Sequence, residues 1–207
     1  MIHEKEVFVF DLDGTLIDSN HIKAECFFDL CDSDDEKAIL DNLLLDPSFT
    51  RFEMFSTISK VLNLGSNYAE RKLAEINLIL RRRIAECEEI EGATELLRAI
   101  RSAGKKICIS SMTPQKEIGL ILQDRNWTGL ISTFYGSPQK KTVTIQSIIS
   151  TYKITRPNIV VIGDGADDYL SAQENRIDFI PVGEGRGSHN LPIETLLSMK
   201  SALVHSK

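Results

Sequence analysis

The sequence predicts an α/β fold, a Rossmann-like doubly wound parallel sheet core with an inserted all-helical cap. Three observations predict it. Val7 to Phe10 is a short, wholly apolar run of β-branched and aromatic residues that stops at Asp11, the pattern of a buried parallel strand that delivers polar groups at its carboxyl end. From about Ser19 to Cys87 the periodicity turns helical, with almost no β-branched runs. Beyond Gly92, helical and strand patterns alternate, which is how a parallel sheet with helices on both faces is built.

In chain order, VFVF is the first strand, and the helical stretch follows as HIKAECFFDLC, EKAILDNLLL, RFEMFSTISKVL and YAERKLAEINLILRRRIAEC. Four amphipathic segments placed directly after the first strand read as a cap over the strand carboxyl ends. Then come a helix over Thr94–Ser102, a strand over Lys106–Ser110, a helix over Pro114–Gln123 and a strand over Ile131–Phe134. A helix over Lys141–Tyr152, a strand over Asn158–Ile162, a helix over Asp167–Asn175, a strand over Asp178–Val182 and a last helix around Pro192–Met199 complete the reading. The division that follows is a core of residues 1–18 and 89–207 and a helical cap of residues 19–88.

At 207 residues, 42% hydrophobic and 26% charged, with only 12 Gly and 6 Pro, the chain has enough apolar material for a core. Disordered, collagen-like and disulfide-scaffold classes are excluded. Thirty acidic against 24 basic residues give a formal charge of −6, so no non-specific affinity for nucleic acid or an anionic membrane follows from net charge. Cys26, Cys31, Cys87 and Cys108 form neither a CxxC pair nor a zinc spacing and read as reduced thiols. MIHEKEVFVF carries charge where a signal peptide needs an apolar stretch, and no run approaches the roughly 18 apolar residues of a membrane span. The expected setting is cytoplasmic, and the expected partner is a small molecule.

The densest chemical signal is FVFDLDGTLIDS. Asp11 and Asp13 stand two apart at a strand end, where the period of 2 points both carboxylates one way and turns Leu12 aside. Such crowding makes ionising both costly unless a cation or a particular proton assignment relieves it. Gly14 permits a sharp turn, and Thr15 offers a hydroxyl there. A bare DxD is ordinarily a solvated turn; the apolar strand before it and the Gly-Thr after it make this one a site. The second signal is NIVVIGDGADDYLSA, where Gly163 turns the chain, Asp164 ends a strand, and Asp167 and Asp168 open a helix. Several carboxylates with oxygen-only ligands suit Mg²⁺. Asp167 alone reads first as a helix-start residue favoured by the dipole.

Between these, KKICISSMT ends a strand in Ser110, Ser111, Met112 and Thr113, whose hydroxyls and backbone N–H groups suit either an anion or a helix cap. Lys140 and Lys141 sit at a loop-to-helix junction, where a cation is unfavourable for the helix dipole unless it faces an anion. In residues and in order, DLDGT, a hydroxyl after the second core strand, a lysine before a later helix and GDxxxD resemble the haloacid dehalogenase superfamily, phosphatase type. The likeness covers about residues 6–18 and 90–182; the insertion resembles that family's cap in position and helical character.

The resemblance implies that Asp11 attacks phosphorus to form an aspartyl-phosphate, while Asp13 protonates the leaving alcohol and later activates water. Ser111, with Ser110 as the competing register, would bind the phosphoryl group beside Thr15 and Met112. Lys141, with Lys140 competing, would neutralise phosphoryl oxygens and Asp11. Asp164 would hold Mg²⁺ with Asp11 and the main-chain carbonyl of Asp13, and Asp168 would support it directly or through water. Two departures stand out: the family's frequent lysine-proline pair is replaced by SPQKKT, and PVGEGRGSHNLP offers Arg186 and His189 on a glycine-rich loop.

Within the family that the chain resembles, the metal-independent dehalogenases lack the second carboxylate, so the resemblance with Asp13 present implies ester hydrolysis rather than dehalogenation. The competing enzymatic reading is a phosphomutase or phosphotransferase; a non-catalytic Mg²⁺- and phosphate-binding module is the third. Substrate choice is expected of the cap, where His21, Lys23, Arg51, Phe52 and Met54 are candidates. A small enclosed site favours a sugar phosphate or phosphoglycolate over a phosphoprotein.

Overall fold

The structure, a computed structural model, describes residues 4–46 and 49–182. The chain folds as two compact units, one of residues to Asp18 together with those from Glu88 onward, the other Ser19–Cys87. The crossing points lie side by side in the first unit: the Asp18 N–H donates to the Glu88 carbonyl at 3.0 Å, and Ile17 bridges Glu89.

The first unit is built on a five-stranded parallel sheet. Its strands are β1 (Val7–Phe10), β2 (Lys106–Pro114), β3 (Thr133–Ser137), β4 (Ile159–Gly163) and β5 (Asp178–Pro181), in the order β3-β2-β1-β4-β5. β1 is central, paired with β2 from Val7↔Lys106 to Phe10↔Ile109 and with β4 from Val7↔Ile159 to Phe10↔Ile162. Both faces of its apolar run are buried, which is why the sequence shows no polar alternation. The crossovers are α5 (Ala93–Ser102), α6 (Gln115–Asp124), α7 (Lys141–Tyr152) and α8 (Ala166–Asn175). Ile145 and Ile148 of α7 and Ala172 of α8 pack with Val7, Val9, Cys108, Ile159 and Val161 on one face. Phe8, Phe10, Ile107 and Ile109, equally buried, alternate to the other.

The second unit consists of α1 (Asn20–Asp29), α2 (Asp34–Leu43), α3 (Arg51–Leu62) and α4 (Tyr68–Glu86). Ser33 caps α2 by accepting from the Glu36 N–H, and Thr50 with Glu53 forms a capping box on α3. The buried stripe of α4 runs through Ala69, Lys72, Ile76, Leu80 and Ile84, one residue per turn on one face. Lys72 is tolerated in it because its ammonium bonds the Leu30 carbonyl and pairs with Asp32 at 2.9 Å.

The sequence reading and the structure differ by one residue at β4 and β5 and by more at two strands. β2 continues past Ser110 to Pro114, so α6 starts at Gln115, because Ser110, Ser111 and Thr113 are buried strand residues rather than a solvated loop. β3 lies two residues later than read, at Thr133–Ser137. The last helix around Pro192–Met199, with Arg186 and His189, lies outside the described residues. All four cysteines are free thiols. Among the described residues no helix is long and apolar enough to cross a membrane.

Candidate active site

The carboxyl ends of β1, β2 and β4 and the starts of α7 and α8 bring most of the singled-out residues together. Asp11 directly follows β1, and its N–H donates to the Ile162 carbonyl at 2.9 Å, so β4 fixes the backbone there. Leu12 turns into the core, and Gly14, at φ 76°, reverses the chain. The two aspartates then face different neighbours. Asp11 meets Lys141 at the start of α7, whereas Asp13 meets the hydroxyls of β2.

Lys141 is buried with its Nζ 2.8 Å from Asp168 Oδ1, 2.9 Å from Asp167 Oδ2 and 3.2 Å from Asp11 Oδ1. Three carboxylates explain why a cation is held at a helix start, where the dipole opposes it. Lys140 is the preceding cap residue and is exposed. Burial works against the charge on Lys141, but Asp11, Asp168 and Asp167 outweigh it and hold the ammonium well above the usual lysine range.

Asp11, Asp164 and Asp168 each offer an oxygen such that all three lie within 4.8 Å of one another. Thr15, buried, donates its hydroxyl to Asp164 Oδ1 at 2.9 Å. Asp168 also accepts from the Gly165 N–H at 3.3 Å. Gly163 is required where β4 turns, since a Cβ there would lie 2.3 Å from Asp168 Cγ. Burial pushes the Asp11 carboxyl well above the ordinary range; Lys141 opposes this, while Asp168, Asp13 and Asp164 add to it. Burial likewise lifts Asp168 to about 7 against the pull of Lys141, with Asp167 and Asp164 contributing.

This donor set fits a divalent cation. Asp11 Oδ1 is buried and has no hydrogen bond, the Lys141 ammonium being near it without the alignment of one. Crowded carboxylates that one lysine does not neutralise, all hard oxygen donors, match Mg²⁺ rather than a thiophilic metal.

On β2, Ser111 and Thr113 both donate to Asp13 Oδ2, at 3.2 and 2.6 Å. Ser110 points elsewhere and shares a hydrogen bond with Thr144 of α7. The geometry therefore sets Ser111, not Ser110, against the β1 motif. Met112, between the two hydroxyls, is exposed. From sequence Thr113 reads as an anion-binding or helix-capping hydroxyl, not as a partner of Asp13, and Asp167 reads as a helix-start residue. The usable signal for Thr113 is its spacing of two from Ser111, which in a strand means a shared face. His21 and Lys23 lie on α1, and Arg51, Phe52 and Met54 on α3 of the helical unit. There His21 and Phe52 are exposed, Met54 is buried, and Arg51 donates to Asn77 at 2.7 Å.

A family model described as haloacid dehalogenase-like hydrolase matches residues 8–182. No curated protein matches the sequence. Among solved structures, a provisionally named phosphatase from Clostridium difficile is similar at 20% identity, with 96% of this chain and 98% of that one covered and a TM-score of 0.70. A protein from Haemophilus somnus, provisionally named a phosphoglycolate phosphatase, is 16% identical over 93% of this chain and 91% of its own, TM-score 0.70. A third, from Thermotoga maritima and provisionally named a beta-phosphoglucomutase, is 16% identical over 94% and 91%, TM-score 0.68. At these identities the likeness shows the fold.

Proposed function

The chain belongs to the haloacid dehalogenase-like hydrolase family, and from that premise we propose that it is a Mg²⁺-dependent phosphatase of a small phosphorylated metabolite, of sugar phosphate or phosphoglycolate type. The observation that carries the reading is Asp11: a buried carboxylate beside a buried lysine, in a cluster with Asp164 and Asp168, with a second carboxylate two residues on. The neighbours named as phosphatases support the substrate class.

In this reading a carboxylate oxygen of Asp11 attacks phosphorus. The bond from phosphorus to the alcohol oxygen breaks as Asp13 passes its proton to that oxygen, leaving an aspartyl-phosphate. Asp13 then takes a proton from water, whose oxygen attacks phosphorus and frees Asp11. Lys141 holds Asp11 in place and offsets charge on the phosphoryl oxygens. With Thr113 keeping its bond to Asp13, the Ser111 hydroxyl turns from Asp13 to receive the phosphoryl group together with the Met112 N–H, and Thr15 borders it while orienting Asp164. Asp11, Asp164 and the Asp13 carbonyl would hold Mg²⁺, with Asp168 in direct or water-mediated support, and the bound ion would supply positive charge to a site otherwise closed to a dianion. Four free thiols fit a cytoplasmic setting.

Rapid acid quenching during turnover, followed by mass spectrometry of the Asp11 peptide, tests the covalent step. Wild type carries a phosphoryl group on Asp11, and Asp11→Asn carries none. Phosphate release with no adduct at any point in the time course would rule out this route. A stable adduct without phosphate release would instead favour a phosphotransferase or a phosphomutase, the latter being the kind of activity in the name of the Thermotoga maritima neighbour.

A further inference from the structure

β2 and β3 are not in simple register where the site forms. Ser110 pairs with Tyr135 but Pro114 pairs with Ser137, so β2 carries extra residues opposite β3 between those pairs. Such an irregularity re-aims side chains locally. Here it occupies the stretch Ser111–Thr113, which is buried at both hydroxyl residues. Close approach of β3 depends on Gly136, because a Cβ there would lie 2.4 Å from the Thr113 carbonyl oxygen. The Ser111 Oγ also accepts from the Thr113 N–H at 3.0 Å. Ser111 and Thr113 thus brace each other and converge on one oxygen of one carboxylate, Asp13 Oδ2, with the shorter bond coming from Thr113 at 2.6 Å.

A general acid must present one carboxyl oxygen to the leaving group and keep the carboxyl plane fixed while the proton moves. Hydroxyl donors gathered on Oδ2 fix that plane, and the O–H···O bond from Thr113, at 2.6 Å, lies at the short end of the normal range. A residue that touches Asp13 in this way acts through it. We propose that Thr113 is the positioning residue for Asp13, holding the carboxyl so that its proton goes to the departing alkoxide oxygen as the phosphorus–oxygen bond breaks. The inference rests on the phosphatase reading above. Thr113 makes no bond to phosphorus and changes no proton count; it sets where the proton of Asp13 points.

Loss of such positioning has a signature that loss of fold does not. A poorly aimed acid matters most when the leaving group is a strong base and least when it leaves unaided. The test compares kcat/KM for phenyl phosphate and p-nitrophenyl phosphate in Mg²⁺, two esters of similar shape whose leaving groups differ in basicity. General acid assistance is worth about 10²- to 10⁴-fold. Thr113→Val is therefore expected to lower the ratio of phenyl to p-nitrophenyl phosphate turnover by about tenfold or more. Thr113→Ser, which keeps the hydroxyl, is expected to return it to within about threefold of wild type. Melting temperatures of both variants separate folding from aim. Equal losses on both esters in a folded Thr113→Val protein, or a Ser variant as impaired as the Val variant, would overturn this inference alone. A wild type inactive on both esters and on a panel of sugar phosphates would overturn the phosphatase reading, and the inference with it.

Discussion

At the scale of residues, the site depends on which of two neighbours faces inward, and the sequence leaves this open twice. Successive strand residues point to opposite faces and successive helix residues turn by about 100°, so an uncertainty of one in register reverses the assignment. Packing decides both cases: Ser111 and Lys141 are buried against the β1 aspartates, while Ser110 is engaged with Thr144 and Lys140 is exposed. Lys141→Ala should lower turnover by about 10²-fold or more, whereas Lys140→Ala should stay within about threefold of wild type. Comparable losses in the two variants, measured as kcat for phosphate release, would contradict the assignment. Gly163→Ala reads the same site from the backbone. Its methyl would meet the Asp168 carboxyl at 2.3 Å, so Asp168 must move. Mg²⁺ affinity, measured by calorimetry, should drop severalfold, and unchanged affinity would argue against Asp168 as a participant.

At the scale of elements, the order of strands and helices is legible because each core strand is a continuous apolar run and each crossover helix an amphipathic one. Legibility fails where an element ends in chemistry. β2 reads as stopping at Ser110 since hydroxyl residues lower its apolar character, yet those residues are buried strand that serves the site. β3 reads two residues early, because Ile131 is apolar but belongs to the turn before the strand, where its N–H donates to the Trp127 carbonyl. The bond from Thr113 to Asp13 escapes the sequence for the same reason: nothing local in SSMT shows that the turn after β1 brings Asp13 to it. The junction of β2 and β3 tolerates only glycine at position 136, where a Cβ would lie 2.4 Å from the Thr113 carbonyl oxygen and 2.5 Å from the Gln115 nitrogen. Gly136→Ala should cost about 1–3 kcal/mol in urea unfolding and reduce turnover along with it. An alanine variant of unchanged stability would mean the strands can part without penalty.

At the scale of the whole molecule, a chain of net charge −6 concentrates buried carboxylates at one sheet edge, and that concentration links stability to pH and to cation. Asp168 is lifted to about 7 and Asp11 lies well above its ordinary range, while the unfolded chain releases these protons near pH 4. Without a divalent cation, the folded protein therefore binds more protons between about pH 4 and 7, and its stability falls as pH rises through that window. The raised Lys141 contributes equally across it, since its stabilisation fades only above the ordinary lysine range. In chelator, the melting temperature should fall between pH 5 and pH 8, with a smaller fall in Asp168→Asn. Mg²⁺ should restore more at pH 8 than at pH 5, approaching about 2.7 kcal/mol when present at a hundred times its dissociation constant. A melting temperature that rises with pH in chelator would contradict this linkage. The most direct test of the central claim is phosphate release from p-nitrophenyl phosphate and a panel of sugar phosphates, with Mg²⁺ or chelator, for wild type and Asp11→Asn. Turnover that requires Mg²⁺ and falls by about 10³-fold or more in Asp11→Asn is the result this account predicts; turnover that survives the substitution, or none on any ester, would contradict it.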